Sequence, residues 1–453
     1  MSSVFSSKQQ IRDLTQGSIM RQLFSLALPL MAMSFIQMAY NFIDMAWVGR
    51  LGSRSAAAVG TMGLFMWMMN SIALTSKIAA EISIGQSIGA KRLDKASAYA
   101  SHTTTLAFVF GFVFCFIFVS SPSFFVSFFG LDADISSEAI NYLRIVSMGF
   151  PFIFIVLNFS GIYIGSGRSD IPFYFNASGL VLNIILDPML IFGFGPIPPL
   201  GSQGAAVATV ISMFFVSVLF VWHLKKFGLL GKFSFFIRLR RSYTWNILKL
   251  GLPVATMNVF FAFINMNLVR ISFNYGGHLG VTSQTTGGQI EGITWNTSTG
   301  FSTALGSFVA QNYAANHIDR LKKAFRYTLM IMGVFGTLVT LGFMLFGDVI
   351  FSVFIPEEAA YQAGGEYLFV LGVSQLFMML EITTEGMFNG FGRTTPPAII
   401  SISFNILRIP LAILFASQMG VVGVWWAITT SSILKGIILF IWYLSLQRKL
   451  EKR

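Results

Sequence analysis

The second half of the chain repeats residues of the first half at a nearly constant spacing. Gln86 and Gln311 lie 225 positions apart, as do Tyr142 and Tyr367. The other matched pairs, at separations of 222 to 225, are Ala90 with Ala315, Asp94 with Asp319, Gly167 with Gly392, Arg168 with Arg393, Pro172 with Pro397, Pro29 with Pro253, Asn183 with Asn405, and Pro188 with Pro410. So many matches near one spacing indicate a duplicated structural unit.

Each copy contains six apolar stretches long enough to cross a bilayer, which takes about 20 residues. They lie in a chain of 453 residues that is 55% hydrophobic and 11% charged. The predicted spans are about 19–48, 56–82, 98–125, 138–164, 170–195, 202–224, 246–274, 280–310, 325–352, 365–391, 395–416 and 420–446. We therefore predict an all-α polytopic membrane protein with twelve transmembrane helices in two six-helix lobes. Because six is even, the lobes should be related by a pseudo-two-fold axis along the membrane normal.

Basic residues concentrate in the loops after the even-numbered spans, whereas the opposite loops are mostly acidic or neutral. The basic positions are Lys91, Arg92, Lys95, Arg168, Arg320, Lys322, Lys323, Arg326, Arg393, Arg448, Lys449, Lys452 and Arg453. The positive-inside rule then places both termini in the cytoplasm. We expect an amino-terminal lobe at 1–224, a basic cytoplasmic linker at 225–245 and a carboxyl-terminal lobe at 246–453. The linker either lies on the anionic inner leaflet or is a plain tether.

Several functional classes are disfavoured by composition. The net charge of +12 could suggest a nucleic-acid partner, but the basic excess lies in short loops at one membrane face, so none is expected. A single cysteine, Cys115, excludes a disulfide within the chain. The four histidines occur singly and no nucleophile motif is present, so we expect no enzymatic activity and no cofactor.

Span one carries a carboxylate inside the membrane, where ionisable groups are costly and usually functional. Gln37 and Tyr40 precede Asp44 by seven and four residues, so the three side chains share one helix face. The alternative, which applies equally to Asp187 of span five, is that Asp44 lies near a helix end, where it is wetted or caps the helix.

Span five repeats this arrangement, with Asn176 and Asn183 eleven and four residues before Asp187. Thr209 of span six could add a hydroxyl ligand. Facing one cavity, these groups could bind Na⁺ through oxygen atoms, or the two carboxylates could share a proton.

The repeat does not extend to the two aspartates. At the repeat spacing, Asp44 corresponds to Leu268 and Asp187 to Ile409, although Asn183 keeps its counterpart Asn405. A purely architectural carboxylate would be expected in both copies. We therefore predict that the ion site lies in the first copy.

The second copy has its own polar residues within spans: Gln289, Glu291, Trp295, Glu381, Glu385, Arg408 and Lys435. A carboxylate beside an aromatic ring suits an organic cation, through charge and cation–π attraction. The equally weighted alternative is that Arg408 or Lys435 neutralises the glutamates in a structural network.

Several segments resemble the multidrug and toxic compound extrusion (MATE) family: LTQGSIMRQLFSLALPL, QMAYNFIDMAWVGRLG, GQSIGAKRLDKA with its copy AQNYAANHIDRLKKA, NIILDPMLIFGFG and GSQGAAVAT. The likeness covers nearly the whole chain, and the sequence most resembles a bacterial, DinF-like or related branch of the family. It implies a secondary active antiporter of the bacterial inner membrane that exports organic, mostly cationic, compounds in exchange for H⁺ or Na⁺. It also implies alternating access of two lobes.

The resemblance assigns the cation or proton site to Asp44, Asn183, Asp187 and Thr209, which would be metal ligands only for Na⁺ coupling. The expected substrate cavity comprises Gln37, Tyr40, Asn158, Asn176, Gln289, Glu291 and Glu381. The sequence departs from the family pattern at 252–269, which lacks the acidic residue that some branches carry there.

We expect partners to be small organic cations or amphiphiles and membrane lipid, and the chain to act as a monomer. The alternatives are a flippase for lipid-linked oligosaccharides or other amphiphiles in the same superfamily, a major-facilitator carrier, or a passive channel. The loop GQSIGAKRLDKA does not fit the major-facilitator signature.

Overall fold

The computed structural model describes residues 11–196, 198–230 and 234–451. These segments are predominantly helical, because a chain in lipid must satisfy its backbone hydrogen bonds internally. The helices are α1 (Ile19–Gly49), α2 (Ser53–Gly89), α3 (Leu93–Ser120), α4 (Pro122–Ser127), α5 (Ala133–Ser147), α6 (Phe150–Gly165), α7 (Asp170–Ile191), α8 (Ser202–Phe227), α9 (Arg241–Ala314), α10 (Ile318–Ser352), α11 (Glu358–Gly390), α12 (Thr395–Met419) and α13 (Val421–Glu451).

Ten of the described helices are long and apolar enough to cross a membrane. The pair α5 and α6, bent by 46° at a short break, makes one further span. Helix α9 has 74 residues, about 110 Å at 1.5 Å per residue, which far exceeds one bilayer. It is interrupted by non-helical backbone at Gly277 (φ 56°), so it supplies two spans. The predicted twelve-helix membrane fold is thereby confirmed.

Within the described residues, the structure divides into two compact units, one of residues 11–14 and 32–255, the other of 15–31 and 256–451. The boundaries of these compact units fall inside α1 and α9, close to Pro29 and Pro253. The division into lobes at 1–224 and 246–453 with a linker at 225–245 stays a prediction. Residues 241–255 pack with the first unit, where Gly251 lies against the backbone of Thr75. The start of α1 packs with the second unit, where Phe24 meets the ring of Phe301 edge-on at 5.7 Å.

In the first unit, α2 and α6 pack backbone to backbone. A Cβ atom added at Gly161 would lie 2.4 Å from the carbonyl oxygen of Lys77, and one at Gly165 would lie 2.6 Å from that of Glu81. Small residues four apart permit this close approach of membrane helices. The contact fixes α2 against α6 in the core of the unit.

The second unit also has glycines that allow close backbone approach, at two of its helix contacts. Gly386 of α11 lies against the backbone and hydroxyl of Ser302 in α9. Gly436 of α13 lies against the backbone of Phe377 in α11. These contacts set the spacing of the helices that carry the polar residues of this unit.

The described part of the linker is hydrogen-bonded to α3 in the first unit. Thr105 Oγ1 donates to the carbonyl of Phe235 at 3.2 Å and accepts from the backbone N–H of Ile237 at 3.2 Å. The N–H of Ser234 donates to Ser101 Oγ at 3.2 Å. The linker is therefore held along α3 as an extended strap. Its exposed side chains are Ser234, Phe236, Arg238 and Arg240.

Candidate functional site

Asp187 and Asn183 form the centre of the first unit's polar site. Both side chains are fully buried on α7, and Asn183 Nδ2 donates to Asp187 Oδ1 at 3.1 Å. Pro188 follows at once and removes the helical hydrogen bond to the carbonyl four residues earlier. Asp187 lies four residues before the end of α7, yet no part of it is exposed.

Helix α1 brings Tyr40 and Asp44 to this group. The Tyr40 hydroxyl is buried and interacts electrostatically with both Asp44 and Asp187. It also approaches the hydroxyls of Thr209 and Ser212 on α8. The structure therefore brings together the four residues of the predicted ion site, with Tyr40 beside them and Ser212 added.

The site is rich in buried oxygen atoms that accept no hydrogen bond from the described protein. These atoms are Tyr40 OH, Asp44 Oδ1, Asn183 Oδ1, Asp187 Oδ2, Thr209 Oγ1 and Ser212 Oγ. Buried polar atoms normally have partners, so such a cluster suits a proton, a cation or water. Carboxylate, amide and hydroxyl oxygens are a donor set that a hard cation such as Na⁺ accepts. Within the described residues, no three His, Cys, Asp or Glu side chains group as a metal site.

Tyr142 lies near this site, although the sequence did not indicate a role for it. It is 5% exposed, lies on α5, and interacts electrostatically with Tyr40, Asp44 and Asp187. Its repeat counterpart Tyr367 is likewise buried in the second unit. The matched pair Tyr142 and Tyr367 is present in the sequence. A tyrosine within an apolar span, however, by itself indicates only a packed aromatic side chain.

The other polar residues predicted for the first unit have different environments. Gln37 is exposed on the protein surface of α1. Asn176 donates to the carbonyl of Pro172 within α7 at 2.7 Å. Asn158, fully buried on α6, donates to Thr104 Oγ1 of α3 at 2.9 Å. Their assignment to a substrate cavity remains a prediction.

In the second unit, Glu381 forms a buried ion pair with Lys435. The distance from Lys435 Nζ to Glu381 Oε1 is 3.1 Å, and the side chains are 9% and 11% exposed. Within the described residues, Glu385, one turn further along α11, accepts a single long hydrogen bond, from Asn389 at 3.5 Å. The contact observed for Glu381 is therefore neutralisation by Lys435, as the structural-network alternative describes.

Glu291 has a neutral partner instead. Gln375 Nε2 donates to its Oε1 at 2.9 Å, and Thr294 donates to Gln375 Oε1 at 3.2 Å. Gln289 is exposed, and the ring of Trp295 is 46% exposed one turn beyond Glu291. Glu291 and Trp295 lie four residues apart and therefore share one face of α9, whereas Gln289 points to another side of the helix.

The comparison with known proteins also shows the internal duplication. The MatE family model matches the chain twice, at residues 29–189 and 253–414. The probable multidrug resistance protein NorM of Thermotoga maritima is 26% identical over 447 residues, covering 96% of this chain and 94% of that protein. A FAD transporter of Shewanella oneidensis is 24% identical over 94% of each chain. Among solved structures, a MATE protein in the bent conformation aligns with a TM-score of 0.91 at 24% identity, over 99% of this chain and 99% of that one.

Proposed function

We propose, since this chain belongs to the MatE family of membrane transporters, that it exports organic, mostly cationic, drugs or toxic compounds in exchange for H⁺ or Na⁺. The family membership confirms the resemblance seen in the sequence, and the similar curated proteins include bacterial multidrug resistance proteins. The chain is a multi-pass membrane protein. We place it in the bacterial inner membrane with both termini in the cytoplasm, as the loop charges indicate.

One observation carries the coupling part of the proposal: the cluster of unpartnered buried oxygens around Asp44 and Asp187. Two carboxylates in a low dielectric repel each other when both are ionised, so binding of a proton or Na⁺ between them is favourable. Tyr40, Asn183 and Thr209 supply neutral oxygen or N–H groups around the ion. The site thereby holds a coupling ion in a region that excludes bulk water.

Ion binding drives export by changing the relative stability of the inward-open and outward-open states. A ligand shifts such an equilibrium only by its different affinity for the two states. An ion bound at Asp44 and Asp187 removes negative charge from the first unit, which weakens its attraction for a cationic substrate. Ion and substrate are therefore mutually exclusive, and alternating access of the two lobes couples their opposite movements.

Proteoliposomes with an imposed ΔpH or ΔpNa, applied separately, test the proposal with ethidium as substrate. We expect ethidium flux to follow one of the two gradients, and the Asp44→Asn protein to lose that response. Asp134→Asn, which removes an exposed carboxylate at the start of α5, is the matched control and keeps it. Ethidium flux that ignored both gradients would refute antiport of this substrate.

A second candidate is transport of larger, phosphate-bearing amphiphiles, as a flippase would perform. It is favoured by the similarity to the FAD transporter of Shewanella oneidensis, at 24% identity. The same proteoliposomes with externally added FAD distinguish the two, because only this candidate predicts FAD uptake or exchange.

A further inference from the structure

The strap of residues 234–240 presents its arginines on the exposed side of the first unit. Successive side chains of an extended chain point to opposite sides. The exposed side chains are Ser234, Phe236, Arg238, Arg240 and, at the start of α9, Arg241. Two hydrogen bonds with Thr105 and one with Ser101, both of α3, fix this alternation. Three guanidinium groups therefore lie close together on the accessible surface.

The strap lies where α3 changes from polar to apolar. Residues 101–105 of α3 are Ser-His-Thr-Thr-Thr, and all of them are buried. Residues 106–119 include no charged or hydroxyl side chain. From Val109 onward this part of α3 exposes large apolar side chains, among them Phe112 (58%) and Phe116 (73%). Because such an apolar helix surface faces lipid tails, the strap is level with the boundary between lipid headgroups and tails.

Phe236 joins the strap to this lipid-facing surface. Its ring is 68% exposed and lies 4.6 Å from the ring of Phe108. Phe108 in turn stacks on Phe112, with 6.2 Å between the ring centroids. Nearby in the chain, Trp222 of α8 is 48% exposed, and Lys226 Nζ lies over its ring at 4.7 Å. Exposed Trp rings and basic groups at a helix end are typical of a membrane surface.

The charge of this segment has one sign. Between residues 225 and 249 the chain has seven Lys or Arg residues and no Asp or Glu. Like charges this close repel each other, so a surface of opposite charge stabilises them. A guanidinium can donate two parallel hydrogen bonds to one phosphate, which an ammonium cannot do. The strap therefore complements phosphate groups that carry no compensating positive charge.

We propose that the strap binds the headgroups of anionic phospholipids, of the phosphatidylglycerol class, in the cytoplasmic leaflet. The arginines contact the lipid phosphates, and Phe236 lies beside the upper part of the acyl chains. This occupant matches a surface that is basic at the headgroup level and aromatic beside the lipid tails, which neither a free phosphate nor a plain tether requires. The proposal concerns the linker alone and is independent of the proposed antiport.

Energy transfer in nanodiscs tests the proposal next to the strap itself. The full-length protein with Ser234→Cys and Cys115→Ser carries one coumarin donor at position 234. The nanodiscs consist of phosphatidylcholine with a trace of lipid labelled with NBD on an acyl chain, either phosphatidylglycerol or phosphatidylcholine. We expect labelled phosphatidylglycerol to give the greater transfer, because each basic residue at an anionic surface strengthens binding about fivefold. The difference should decline with added NaCl, which screens exposed charges.

Replacing Arg238, Arg240 and Arg241 together by Gln should lower the preference for phosphatidylglycerol by about fivefold or more. The matched control removes the same charge from the second unit and should leave the preference unchanged. Its substitutions are Lys323→Gln, Arg326→Gln and Lys449→Gln, all at exposed positions. Equal transfer from the two labelled lipids, or equal effects of the two triple variants, would overturn the proposal. A larger loss of the preference with inorganic phosphate than with NaCl of equal ionic strength would also overturn it, because the arginines would then hold free phosphate.

Discussion

Replacing Lys435 by Met would show how far Glu381 depends on its ion pair. The two charged groups are 3.1 Å apart and nearly inaccessible, with 9% and 11% of their side chains exposed. Removing one partner of a buried pair leaves an uncompensated charge and costs about 3–5 kcal/mol. The second unit has about 200 residues, for which each kcal/mol lowers Tm by about 2–4 °C. We therefore expect Tm to fall by about 6–20 °C.

The double variant Glu381→Gln with Lys435→Met removes both charges and should recover most of that loss, ending within about 2 kcal/mol of the natural protein. Tryptophan fluorescence during heating in detergent measures the Tm of Lys435→Met, of Glu381→Gln and of the double variant. Lys249→Met, at an exposed position of α9, is the matched control and should leave Tm unchanged. If the two single substitutions each cost less than about 1 kcal/mol and were additive, the pair would contribute nothing and our reasoning would be wrong.

Two further substitutions test the packing of the first unit. Gly161→Ala forces a Cβ against the carbonyl of Lys77 and should destabilise the protein by about 1–3 kcal/mol. The control is Gly63→Ala, which has the same gain in helix propensity but places its Cβ within 4 Å of no atom. Equal Tm values for the two variants would contradict the backbone contact. Thr105→Val removes both hydrogen bonds to the linker, at Phe235 and Ile237. Hydrogen exchange of the linker amides should therefore accelerate about fivefold to tenfold. Unchanged protection of these amides would show that other contacts hold the linker.

The sequence predicted the architecture well because its signals are long and repeated. The spacing between Tyr142 and Tyr367, or between Asn183 and Asn405, spans a whole unit. Lipid leaves helices as almost the only option for such apolar stretches. The grouping of Asp44 with Asp187 followed from the cost of intramembrane carboxylates and from the family resemblance.

The unit boundaries could not be predicted, because apolar periodicity does not say which neighbour a helix contacts. Residues 19–31 of α1 and 241–255 of α9 belong to a different compact unit from the rest of their helix. Pro29 and Pro253 lie near these changes. In the sequence, the matched pair of prolines was the one feature that marked the positions of these boundaries.

The contacts of Arg408 also lay beyond sequence reasoning. An arginine in a span predicts a carboxylate partner, since charges in membranes usually pair. The partner found for Glu381 is Lys435, and Arg408 is held by Ser431 and Ser432. This choice depends on the relative register of α12 and α13, which a single sequence does not contain.

The most direct test of the central claim compares gradient-driven accumulation with exchange at equilibrium. A ΔpH of about 2 units is worth about 2.7 kcal/mol per proton and supports up to about 100-fold accumulation by one-for-one exchange; an equal ratio of Na⁺ concentrations does the same for Na⁺. For Asp187→Asn we predict that ethidium accumulation falls to the level without a gradient, while ethidium exchange continues. Glu291→Gln, in the second unit, should keep a flux that responds to the gradient. Gradient-driven accumulation by Asp187→Asn equal to that of the natural protein would contradict a coupling site in the first unit.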